Sequence, residues 1–294
     1  SDLVGGSGVD SFTLETIDQI TGLIDGGASS DSLTLTTANQ TLNLNTDITQ
    51  LENLNATTSK LVAHDEVNVW LIDASDSGTL TNTHGAVSFK GFAHLSGGSS
   101  VDSFTISGAS GDISGLISGG DGSDSLTLSS IQDRVIELGS DVTGNLNVDH
   151  IEKITANTDS TNTLIADDVE NTWLIDGNEA GSITYNGITA MFSNFEHLIG
   201  GSAVDKFTVN DGGVTSIAMG QGNDAILAPK LCGQHVAYLE RRLSEIESNL
   251  RGDADLGMAA TLKAITPKTR NEISRWLAAG NCAGESKQTE QAND

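Results

Sequence analysis

Residues Asn68 to Phe104 return 103 residues later, without a gap, as Asn171 to Phe207. NVWLIDASDSGTLTNTHGAVSFKGFAHLSGGSSVDSF becomes NTWLIDGNEAGSITYNGITAMFSNFEHLIGGSAVDKF. Trp70 falls on Trp173, Asp73 on Asp176, Gly78 on Gly181, Phe89 on Phe192, Phe92 on Phe195, His94 on His197 and Asp102 on Asp205. Such a repeat constrains the fold more than any local propensity does, because each copy has to bury its apolar face against the next.

A shorter beat runs inside the long one. Asp10 and Asp31 head the bursts SFTL and SLTL at a spacing of 21, Asp102 and Asp124 repeat this at 22, and Asp205 and Asp224 at 19. Within the bursts Phe12 and Leu14, Leu33 and Leu35, Phe104 and Ile106, and Leu126 and Leu128 alternate with Ser or Thr, the period of a half-buried strand. WLID at 70–73, VSF at 87–89 and their counterparts add further strands. Gly, Asn, Asp and Ser fill the turns between them. A beat of about twenty residues is the size of one β-helix coil. The expected fold over 1–228 is therefore an all-β, right-handed parallel β-helix, a β-solenoid. A β-sandwich shares the short strands but gives no reason for a beat held in phase over this length.

Charge marks a boundary. Residues 1–228 hold 31 acidic and 5 basic side chains, whereas 229–294 hold 9 of each. An acidic surface repels phosphate backbones and anionic lipid heads, so nucleic acid and direct membrane insertion are not expected of the repeats, and solubility accounts for the excess. From Pro229 the beat stops. Val236, Leu239, Leu243, Ile246 and Leu250 then form one stripe of an amphipathic helix, and further helices are expected over Leu256–Ile265 and from Thr266 to Gly280. This predicts a small α-helical C-terminal domain over 229–282 and a flexible tail over 283–294. The chain begins without Met, in the middle of its own repeat pattern, which suggests a piece of a longer protein.

GGDGSDSLT at 119–127 and GGSGVDSFT at 5–13 fit the nine-residue GGxGxDxUx pattern, and so resemble the calcium-binding turns of RTX proteins. The resemblance implies calcium as a cofactor, with Asp10 and Asp124 as ligands, and Asp31, Asp102, Asp205 and Asp224 at the matching places of the other copies. The match is incomplete: the nonapeptides occur once per coil, Ser29, Ser100 and Ala203 replace the later Gly in three copies, and Met219 replaces the first Gly before Asp224. The competing reading is a Gly-rich coil turn whose Asp caps the next strand. Trp70 and Trp173 are expected in the core or at a coil corner rather than as sugar platforms. His94 and His197 read as turn histidines bonded to backbone, with no second ligand at metal spacing. RGD at 251–253 is a chance tripeptide between helices.

The unit WLID…G…F…FEHLxGGxxxDxF resembles repeats of large secreted bacterial adhesins of the filamentous-haemagglutinin type, exported by two-partner secretion. That resemblance implies a non-enzymatic adhesin or biofilm protein at the bacterial cell surface, outer-membrane associated, with the repeats as a stalk. It also implies an outer-membrane secretion or anchoring protein as partner of the helical block, and a host or matrix glycan or protein as ligand. In a surface-exposed protein Cys232 and Cys282 are expected to pair. Closing that loop would stabilise a small helical block by about 4 kcal/mol. The alternative is a β-helical polysaccharide lyase or hydrolase. Such a site needs clustered carboxylates working with Arg or Lys, and Lys60, Lys90, Arg134, Lys153 and Lys206 are the only such bases before residue 229.

Overall fold

Alternation of apolar and polar residues builds strands whose inward side chains line up from one segment to the next. In the strand Asn68–Ala74, Asn68, Trp70 and Ile72 point inward while Val69, Leu71 and Asp73 are exposed. The strand Asp102–Ile106 lies parallel to it and sets Phe104 on Trp70, and the strand Ser125–Leu128 follows with Leu126 on Phe104. Ile154 and then Phe192 continue this column. A second column runs Phe12, Leu33, Leu54 and Phe89, and a third Trp173, Phe207 and Ile226. The aspartate spacings reappear as pairing offsets: Ser11 sits beside Ser32, Ser103 beside Ser125 and Lys206 beside Ala225. This structure is a computed structural model that describes residues 2–46, 48–139, 145–210 and 213–227.

The expected right-handed parallel β-helix is corrected by the pairing. The sheets are mixed, not uniformly parallel. Strand Ser77–Asn82 runs antiparallel to Asn68–Ala74 on one side and to Gly85–Gly98 on the other, and Ala180–Tyr185 does the same between Asn171–Gly177 and Ile188–Ser193. Each long repeat thus carries a three-stranded meander joined to parallel neighbours. The cause lies in the turns. Asn186 and Gly187 have φ of 48° and 82°, so Asn-Gly closes a two-residue hairpin whose backbone sends the chain straight back. Glycine at 78 and 181 lets the middle strand lie close: a Cβ would come 2.0 Å from the carbonyl oxygen of Leu71 or of Leu174. The predicted α-helical C-terminal domain also finds no counterpart among the described residues, where the one helical element is a 3-10 turn, Ile17–Gln19. The block 229–282, its two cysteines, the RGD tripeptide and the tail 283–294 lie outside the described residues.

The core follows the columns. Trp70 and Trp173 are fully buried and stack on Phe104 and Phe207, with ring centroids 5.5 and 5.1 Å apart, while Phe89 and Phe192 meet them edge-on. Neither indole N–H finds an acceptor, so both tryptophans contribute packing alone. No helix of the described residues is long and apolar enough to cross a membrane.

Candidate functional site

The six aspartates singled out by the sequence form a ladder that stitches segments together. The Asp10 amide donates to Asp31 Oδ1 at 2.7 Å, Asp102 to Asp124 Oδ1 at 2.7 Å, and Asp205 to Asp224 Oδ1 at 2.9 Å. Glutamates extend the pattern by one segment, since Glu52 and Glu152 accept from the amides of Asp31 and Asp124. On the other side of each long repeat an asparagine caps the row: the Asn68 side-chain amide donates to Asp102 Oδ1 and that of Asn171 to Asp205 Oδ1, both at 2.7 Å. Each carboxylate link satisfies a backbone N–H at the junction between segments, and the asparagine links join side chain to side chain. This gives the aspartates a role that requires no ion.

The glycines of the calcium-like motif are explained by the same ladder. Five residues before Asp102 stands Gly97, where a Cβ would lie 2.1 Å from Asp102 Oδ2 and 2.3 Å from the Gly119 carbonyl oxygen. Gly119 sits in the same relation to Asp124, with a Cβ 2.4 Å from Oδ2 and 1.9 Å from the His150 carbonyl oxygen. Only Cα–H fits between one segment's carboxylate and the next segment's carbonyl. The second oxygens of Asp31, Asp102 and Asp124 are enclosed there without a hydrogen bond. Burial, with the charge of Asp124 adding to it and the Asn68 bonds opposing, pushes the Asp102 carboxyl up to about 6. Burial, with the Glu152 charge, pushes Asp124 up to about 6 as well, and burial raises Asp205.

His94 and His197 lie in strands rather than turns. His94 Nδ1 accepts from the Leu116 amide at 3.2 Å, and His197 Nδ1 is 2.7 Å from the Ser216 hydroxyl.

A different constellation escaped the reading of the sequence. At the tip of the first hairpin, His64, Glu66 and His84 each offer one donor atom, all within 4.8 Å of one another. His64 and Glu66 come from the loop between strands Asn53–Val62 and Asn68–Ala74, and His84 from the turn after Ser77–Asn82. Pairing of Val69 with Thr81 fixes the register, and continuing it outward by three residues sets Glu66 opposite His84. His84 Nδ1 is 2.7 Å from Glu66 Oε1, the Thr83 hydroxyl donates to Glu66 Oε2, and the two imidazoles stack with centroids 4.1 Å apart and planes 8° from parallel. Asn82 braces the group: its Oδ1 accepts from the His84 amide at 3.0 Å, and its amide nitrogen donates to His64 Nδ1 at 3.1 Å and to Asn68 Oδ1 at 3.0 Å. Through Asn68 the tip is tied to the aspartate ladder. Burial, followed by the neighbouring His84, holds the His64 imidazole below its usual range, and the Thr83 hydrogen bond lowers Glu66.

No family model, curated protein or solved structure matches this chain. Its chemistry is therefore read from its own residues. Two imidazoles and a carboxylate converge at an accessible turn, with His84 the most exposed of the three. The signal that could have found them is the hairpin, since an Asn-Gly turn at 186–187 flanked by alternating residues announces a chain reversal in the second copy. By the repeat that reversal falls at Thr83–His84 in the first copy, and the preceding reversal, between Ala74 and Ser77, is the one that brings Glu66 to face His84.

Proposed function

We propose that this chain is a non-enzymatic structural segment of a secreted bacterial cell-surface adhesin, in which the repeats hold a binding surface away from the cell. The observation that carries this reading is the ladder. One linkage, acidic side chain to backbone amide, recurs from segment to segment and interlocks neighbours through buried and part-buried bonds. A spacer needs such local interlocking, because each junction then resists opening on its own. The repeat unit's resemblance to secreted adhesins supports the same reading, and the acidic surface suits an exposed position, where it favours solubility. Arg134 is the one Arg or Lys with an ion pair among the described residues, 3.5 Å from Asp112, and its guanidinium also donates to the Gly111 carbonyl at 2.6 Å. That arginine supports a turn.

Labelling of intact source cells with antibody against the full chain is the first test; signal confined to lysed cells would overturn the reading. The purified chain presented to glycans and matrix proteins should be retained on at least one of them without cutting it. Release of shorter or unsaturated sugar chains would replace the adhesin with a polysaccharide-degrading enzyme.

A further inference from the structure

We propose that His64, Glu66 and His84 form a binding site for a divalent transition-metal ion of the zinc class at the tip of the first hairpin. The donor atoms already lie within 4.8 Å of one another, and zinc bonds of about 2.0–2.2 Å to nitrogen and oxygen bring ligands together by shifts of roughly an ångström. Two imidazole nitrogens with one carboxylate suit zinc, nickel or copper, whereas calcium takes six to eight oxygens, so the site belongs to the borderline metals. Three protein donors at an exposed turn leave further coordination positions to water or to a donor from a bound partner.

The bland reading is that these three side chains merely close the turn. The molecule contains its own control against it. In the second copy Asp167, Val169 and Gly187 stand where His64, Glu66 and His84 stand in the first. That hairpin closes in the same antiparallel register with an Asn186 to Asp167 hydrogen bond of 2.8 Å and no imidazole. The fold therefore places no demand for histidine or glutamate at these positions. Asn82 fixes the His84 backbone and ties it to Asn68, and through it to Asp102, while its amide bond to His64 Nδ1 is the one contact that gives way when that ring takes the ion. Tyr185 occupies the corresponding place in the second copy and lies buried.

The test is equilibrium dialysis of the full chain against zinc, with cobalt absorption as a second readout of coordination. Cys232, Cys282 and His235 can also take zinc, so the quantity read is the difference between parent and variants. Parent protein should hold one equivalent more than His84→Ala. Loss of an outer-shell partner already weakens metal sites about 10–100-fold, so removal of a ligand by His84→Ala or Glu66→Gln should weaken this site by about 100-fold. Excess calcium should leave the bound zinc in place. Parental stoichiometry and affinity in both variants, with unchanged circular dichroism and melting, would overturn the proposal, as would displacement by calcium. Should a variant fail to fold, the ring-proton resonances of His64 and His84 in the parent decide: zinc must shift both, and an absence of shift overturns the site.

Discussion

The hairpin within Asn68–Lys90 and its copy within Asn171–Ser193 share their foundations and differ at their tips. Both set a tryptophan on a phenylalanine with planes 13° apart, both tie an asparagine to a ladder aspartate at 2.7 Å, and both carry a glycine in the middle strand where it lies close to the strand before it. Beyond the sheet the copies part. The first tip gathers His64, Glu66 and His84 around Asn82; the second joins Asp167 to Asn186 and buries Tyr185 where Asn82 stands. One consequence reaches inward: Asn68 Oδ1 accepts from Asn82, while Asn171 Oδ1 is buried without a donor. The second copy also has a carboxylate neighbourhood of its own, since burial, followed by the charge of Glu196, raises Glu179. Residue types repeat where packing dictates them and diverge where it does not, so chemistry concentrated at a divergent tip calls for an explanation other than folding.

The largest test of the shared foundation is Trp70→Ala beside Trp173→Ala. Each should lower unfolding free energy by about 3–5 kcal/mol, because a buried aromatic leaves a cavity that its stacked neighbour fills poorly. Denaturant melts giving losses within about 1 kcal/mol of each other support equal cores, and a much larger gap breaks the equivalence. Next come the ladder glycines. Gly97→Ala and Gly200→Ala should each cost about 1–3 kcal/mol through overpacking against the ladder carboxylate. Full stability in either variant would show that the ladder is not close-packed there.

The turns should respond less and unequally. Gly187→Ala forces a Cβ into a left-handed backbone and should cost about 1–2 kcal/mol, whereas His84→Ala, outside that region, should leave thermal stability within about 0.5 kcal/mol of the parent. A His84→Ala loss as large as that of Gly187→Ala would make the first tip structural.

A last comparison is in pH. Asp102 and Asp124 are raised from 3.8 to about 6, so between these values the folded chain keeps protons that the unfolded chain has released. Their contribution to stability is fully present below about pH 4 and falls as pH rises through about 6. The Asp102→Asn and Asp124→Asn double variant should therefore show a smaller gain in melting temperature than the parent on going from pH 7 to pH 5. An identical gain in both proteins would place the pH response elsewhere among the acidic groups.

Much of this is legible in the chain itself. The spacing of Asp10 and Asp31, or of Asp102 and Asp124, already stated which strands would lie side by side, and the alternation around Phe104 and Leu126 stated which face would be inside. The GGxGxD turns were legible as turns, yet their meaning was not. Gly97 is small because Asp102 and the Gly119 carbonyl press on it from two segments, a contact that local sequence does not display. Close backbone approach and a carboxylate are also what a calcium-binding turn requires.

The sequence by itself determined the long repeat, the twenty-residue beat and the inward phase of each burst, because these are set by periodic burial against an adjacent, similar segment. Only the tertiary structure decided that the middle strand of each long repeat turns back, mixing antiparallel pairs into the parallel sheets. It alone brought Glu66 to His84 across 18 residues and His64 beside them. The physical reason is that a hairpin register pairs residues about a point of reversal, so their separations change with every step outward, and no fixed period in the chain records which side chains will meet at its tip.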